Sequence, residues 1–286
     1  MKSVLFMLAL WVGGGQAWAA GTNFEPVTPF SLSGSINVSI VVLLVPSENL
    51  KKILPQDLRL IELPELHGLH PVSFMFGEQS AVSKIPVGGG DPVVVLPTYQ
   101  EYSMVVPNVR HIDDPTETPF NHLLKLYLNN QMGIDVGRSE FGYNKFFGNI
   151  TIEKSMSNSE LFSQYTVVDR STGEMVASQS AQQKGAIDPI KFYANLMGLS
   201  KIFRSTYIGQ KPDGSWVCSK FQYLTFNPRD YSPIEVELSL GEQLNSALFG
   251  GGLSSLHQVF GLDQNEFGAY HIKTNAWKIS APTRCF

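Results

Sequence analysis

Charge is scarce in this chain and nowhere concentrated. Charged residues make up 16% of it, 21 basic against 25 acidic side chains, with no basic run and no basic patch interleaved with aromatics. Phosphate backbones are gripped by clustered lysine and arginine, so nucleic acid is excluded as an expected partner. Cysteine occurs only at Cys218 and Cys285. That permits at most one bridge, tying the extreme C-terminus to an interior strand, and leaves two unrelated thiols as the alternative. Long apolar runs are also missing. The one run, Val4 to Val12, meets Gly13-Gly14-Gly15 well before the roughly 20 residues that span a bilayer, so no membrane span is expected.

Several common site patterns are lacking too. His67 and His70 with Glu65 have metal-ligand spacing, but Gly68 and Pro71 make the segment a loop, and no second ligand cluster supports it. The glycine triplets lack the Gly-Lys-Ser/Thr ending of a phosphate loop, and Ser254-Ser255 beside His257 has no Gly-x-Ser-x-Gly elbow. No metal and no cofactor are expected.

What is present starts with an export signal over residues 1–20: Lys2, the apolar run, then Ala17-Trp18-Ala19 as a small-x-small cleavage site. The expected location is secreted or periplasmic. Residues 21–286 then read as a single domain, with no repeat, low-complexity tract or linker. With 43% hydrophobic residues, it can bury a sizeable core.

Short runs rich in β-branched and aromatic residues recur at Ile36–Val45, Val72–Phe76, Val93–Leu96, Tyr102–Val106, Leu123–Leu128, Lys145–Ile152 and Gln164–Val168. Turn formers such as Gly88-Gly89-Gly90-Asp91-Pro92 and Lys211-Pro212-Asp213-Gly214 separate them. The pattern predicts a predominantly β fold of the α+β class, with antiparallel sheets closed or nearly so. Few helices are expected: Glu48–Leu54 behind Ser47, a helix from Asp188-Pro189 toward Met197, and a third between Leu253 and Val259.

Lys145 is the residue with the most chemical promise, a lone lysine in Phe141-Gly142-Tyr143-Asn144-Lys145-Phe146-Phe147-Gly148. Burial disfavours ammonium, so a lysine walled by aromatic side chains can act as a nucleophile near neutral pH. Strand alternation would put Tyr143 and Phe147 on its face and Phe146 on the other.

Tyr127-Leu128-Asn129-Asn130, Ile134-Asp135-Val136-Gly137-Arg138 and Tyr143-Asn144-Lys145 together resemble the tyrosine strand, Gly-Arg-Glu turn and Pro-Lys-Lys strand of acetoacetate decarboxylase and its relatives. Glu48 to Pro55 and Tyr99-Gln100-Glu101 are similar to that family's early helix and Tyr-x-Glu segment. The resemblance covers about Ser35 to Ile279. It implies a cone-like β-barrel, homo-oligomeric assembly, and a lysine that forms a Schiff base with a small keto acid, acetoacetate decarboxylase being a known case of a lysine so activated. By position Lys145 matches the nucleophile, Glu101 the active-site glutamate and Arg138 the arginine of the Gly-Arg turn. The chain departs from the pattern at Phe146 for a second lysine, Asn144 for proline, Ser139 for the turn glutamate and Ile36 for an arginine.

The expected site is therefore Lys145 and Glu101 as catalytic groups, with Phe141, Tyr143 and Phe147 as walls. Arg138 or Arg110 would supply the cation for a substrate carboxylate. The expected activity is a Schiff-base lyase, decarboxylase or related aldolase or dehydratase, on a small keto acid. A barrel that kept the pocket without the chemistry and binds a small molecule is the alternative.

Overall fold

The computed structural model describes residues 25–157, 160–183, 206–223, 231–251, 256–257 and 269–286. The export signal and the helix expected after Asp188 lie outside them.

The first half of the chain contributes β1 (Phe30–Pro46), β2 (Leu58–Leu60), β3 (Leu69–Pro86), β4 (Val93–Leu96), β5 (Tyr99–His111) and β6 (Phe120–Leu128). Next come β7 (Lys145–Ser157), β8 (Glu160–Asp169), β9 (Met175–Gln183), β10 (Thr206–Gln210) and β11 (Trp216–Tyr223). The last are β12 (Tyr231–Leu240), β13 (Leu256–His257), β14 (Ala269–Ile279) and β15 (Thr283–Arg284). Among the described residues three short α-helices accompany them: α1 (Ser47–Ile53), α2 (Gln131–Ser139) and α3 (Glu242–Phe249). Every strand run expected from the sequence falls within one of these strands.

Strands β1, β3, β5, β6, β10, β11 and β14 pair in a ring, a closed seven-strand barrel. Antiparallel pairing prevails, with β6 against β10 the parallel step. A second route also joins β6 to β14, through β7, β8, β9 and β12. The wall of β14, β1, β3, β5 and β6 is thus shared by two enclosures.

This sharing explains why β1, which alternates as far as Ser39, becomes a continuous apolar run from Ile40 to Val45. A strand covered on one face alternates apolar with polar; a strand covered on both does not. Ile36, Val38, Ile40 and Val42 pack into one core with Tyr270 and Trp277. Their neighbours Val41, Leu43 and Val45 pack into the other, with Tyr165, Val236 and Leu248.

Two helix expectations need correction. Gly137-Arg138 is not in a turn but in the last part of α2. The third expected helix ends where it was thought to begin: α3 precedes the glycines, with Gly250 as its left-handed C-cap, whereas Leu256 and His257 pair with β12 as β13. Of the two readings left open for the cysteines, the bridge is the one formed. Cys218 and Cys285, 67 residues apart in sequence, join β11 to the tail, which also pairs as β15 with β11. A loop of that length contributes on the order of 2–4 kcal/mol by restricting the unfolded chain.

Candidate active site

Helix α2 is an unpromising helix by composition, with glycine at 133 and 137, each less favourable than alanine in a helix by ~1 kcal/mol. It forms because Asn130 caps it, its side-chain oxygen accepting from Gly133 N at 2.9 Å, and because Gly133, Ile134 and Gly137 are buried. Gly133 and Gly137, one turn apart, share a face. Lys145 lies against that face.

A Cβ added at Gly137 would sit 2.1 Å from Lys145 Cε, 2.4 Å from Cδ and 2.5 Å from Nζ. The lysine stem therefore occupies the space that any other side chain at 137 would take. Its amine donates to Gly133 O at 2.9 Å. Asn144 fixes the start of the strand: its side chain donates to Leu124 O at 2.8 Å and its carbonyl accepts from Leu126 N at 3.0 Å. Lys145 then opens β7 opposite Leu126 of β6.

Glu101 comes from β5 and is only 5% exposed. Its partner is Gln79 of β3, whose Nε2 donates to Glu101 Oε1 at 2.6 Å. Tyr99 OH in turn donates to Gln79 Oε1 at 3.1 Å. A phenol donating to the amide oxygen leaves the amide nitrogen for the carboxylate, so the relay holds one carboxyl oxygen and leaves the other unengaged by it.

Burial governs the electrostatics. It lowers the Lys145 pKa to about 8, against the opposing pull of the Glu101 charge. It raises the Glu101 pKa, opposed by the Gln79 hydrogen bond and then by Lys145. Among the described residues no ion pair involves Lys145, so the two groups act on each other through space. At pH 7.5 a pKa of about 8 leaves roughly a quarter of the amines neutral, against roughly one in a thousand for an ordinary lysine.

Lys145 and Glu101 border one cavity of about 90 Å³. Phe141 and Tyr143 wall it, as do Ile36, Val82, Leu126 and Trp277. The Tyr143 hydroxyl is held by Ser219 Oγ at 2.6 Å. Its volume is well under the ~300 Å³ or more of drug-sized sites and suits a small ligand.

Three expected residues are elsewhere. Arg138 turns outward: its Nε donates to the Lys145 carbonyl at 2.6 Å and its guanidinium lies 5.7 Å from the Phe146 ring centroid. Phe147 lies on the Lys145 face of the strand but outside the cavity, under the Arg170 guanidinium at 4.5 Å. Arg110 is ion-paired with Glu117 in a surface groove beside β2. Neither arginine lines the cavity. Gln79 and Gly133 were missed, and Tyr99 and Gly137 were seen only as part of the segments that carry the family resemblance, without a place in the site.

No protein-family model matches the chain, and no curated protein matches it. Solved structures do. Acetoacetate decarboxylase from Legionella pneumophila subsp. pneumophila str. Philadelphia 1 superposes with a TM-score of 0.57 at 14% identity, over 94% of this chain and 93% of that one. The chain has the acetoacetate decarboxylase-like fold. An acetoacetate decarboxylase-like enzyme from Sphingomonas wittichii RW1 gives 0.56 at 14% identity, over 90% and 94% of the two chains. The enduracididine biosynthesis enzyme MppR, complexed with pyruvate, gives 0.56 at 14% identity over 90% and 91%. In this acetoacetate decarboxylase-like barrel, the amine of Lys145 and the carboxyl of Glu101 meet on the enclosed side of the shared wall.

Proposed function

We propose that the protein is a Schiff-base-forming lyase that acts on a small keto acid through Lys145. The observation that carries this reading is a buried lysine amine, in no ion pair among the described residues, that borders a cavity beside a buried carboxyl; burial lowers its pKa to about 8. The likeness in fold to acetoacetate decarboxylase, and to an enzyme complexed with pyruvate, supports the same chemistry.

In the proposed cycle the neutral amine adds to the ketone carbon and water leaves, giving an iminium. In a β-keto acid, whose carboxylate sits on the carbon next to the carbonyl, the carbon–carbon bond to the carboxylate breaks, carbon dioxide departs, and the bond's electron pair passes into the iminium to give an enamine. Protonation at carbon and hydrolysis release product and restore the amine. Glu101, its pKa raised and one oxygen free of the Gln79 relay, carries the protons. Phe141 and Tyr143 exclude water from the iminium. Arg138 acts on position only, holding the Lys145 carbonyl. The disulfide agrees with an oxidising compartment and so with export.

Borohydride reduction in the presence of a panel of small keto acids, followed by intact mass and peptide mapping, tests the proposal. A mass increase confined to Lys145, and absent from Lys145→Ala, is the expected outcome. A folded wild-type protein that gains no mass with any member of the panel contradicts it.

A further inference from the structure

The cavity has a second amine. Lys84 of β3 borders the same space as Lys145. Its ammonium rests over the Phe30 ring, 4.3 Å from the centroid. No ion pair holds it among the described residues. A ring face satisfies charge but accepts no strong hydrogen bond, so the three N–H donors of the ammonium remain available to an anion.

Position along the wall separates the two polar ends. Gln79, which holds Glu101, pairs with Ile36, whereas Lys84 pairs with Leu32. A bulge lies between them, so five residues of β3 face four of β1, roughly 13 Å of strand at ~3.3 Å per residue. The surface between them is apolar, from Leu32, Ile36, Val82, Trp277 and Ile279. Neither Arg138 nor Arg110 reaches this space, so Lys84 is the cation that the cavity itself offers away from the reactive amine.

We infer that Lys84 is the anion-recognising residue of the site, and that its preferred ligands carry a carboxylate separated from the reacting carbonyl by an apolar span of several carbons. This deepens the imine reading and relies on it only for the carbonyl end: the carboxylate held at Lys84 is a recognition group, distinct from any carboxylate on the carbon next to the carbonyl that leaves as carbon dioxide. The carboxylate would leave the Phe30 face unoccupied and take the ammonium; the methylene span would lie against Ile36, Val82 and Trp277.

Calorimetric titration of the full chain with octanoate and with 1-octanol separates the two ends of the inference, since neither probe can form an imine. The wild-type protein is expected to bind octanoate about tenfold more tightly than 1-octanol, the size of a charge-assisted contact. Lys84→Met should erase that preference while leaving 1-octanol binding unchanged, and Lys84→Arg should keep it. A preference that survives in Lys84→Met, or a wild-type protein that does not favour octanoate, overturns the assignment. Borohydride trapping at Lys145 is scored separately, so a failed imine and a failed anion site give different results.

Discussion

Replacing Gly137 with alanine is expected to leave the protein folded and to lower imine trapping at Lys145 by about 100-fold or more. The added methyl would fall 2.1 Å from Lys145 Cε, a separation at which one of the two must move. The atoms it meets belong to the end of a flexible side chain, so the lysine yields rather than the backbone. Alanine is the better helix former by ~1 kcal/mol, which offsets local strain. The amine, however, loses its place beside the Gly133 carbonyl, and a displacement of about 1 Å at a reacting group can lower a rate by ~10²-fold. Gly133→Ala is the control. Its nearest contact would be Leu128 Cδ1 at 3.3 Å, which a small shift relieves, so trapping should stay close to wild type. Thermal melts read beside trapping yields check both. Equal trapping in the two variants would show that the Gly137 face does not position the lysine.

Replacing Glu101 with glutamine should separate imine formation from turnover. The Glu101 charge opposes the fall in the Lys145 pKa. Removing that charge should therefore shift the Lys145 midpoint below about 8 and increase the neutral fraction at pH 7. Trapping is then preserved or increased. Release of product should nevertheless fall by roughly 10²–10⁴-fold, the usual contribution of a positioned acid–base group. Single-turnover kinetics with a trapped substrate, alongside steady-state rates, measure the two steps. A variant that loses trapping and turnover in parallel would assign Glu101 to holding the lysine rather than to moving protons.

The sequence showed the wall of the fold and its first helix, α1, but neither α2 nor α3. Ile36 to Val45 is legible because it is rich in β-branched residues and, from Ile40 on, where both faces are covered, leaves an unbroken apolar run. Helix α2 is not, because Gly133, Gly137 and Ser139 each argue against helix. What holds it is the Asn130 cap and its packing against the lysine strand, contacts that depend on tertiary position. The Gly250 to Gly252 triplet gave the right punctuation and the wrong side of it.

At the site, strand alternation correctly separated Lys145 and Phe147 from Phe146, which packs against Tyr127 in the other core. Sharing a face did not bring Phe147 into the cavity, because the pocket lies toward α2 and β5 while Phe147 is further along β7. Gln79 was illegible: its contact with Glu101, 22 residues away, exists only once β3 and β5 take the register that pairs Gln79 with Tyr99. Long flexible guanidinium chains carry least positional information, and both Arg110 and Arg138 found other partners.

The central claim is that one buried amine loses its proton far more easily than an ordinary lysine. Its most direct test is the rate of Lys145 acetylation by trace acetic anhydride as a function of pH, resolved by peptide mass spectrometry against exposed lysines of the same chain. A midpoint at about pH 8 for Lys145 is the expected result. A midpoint near ~10.4, together with the exposed lysines, would contradict it.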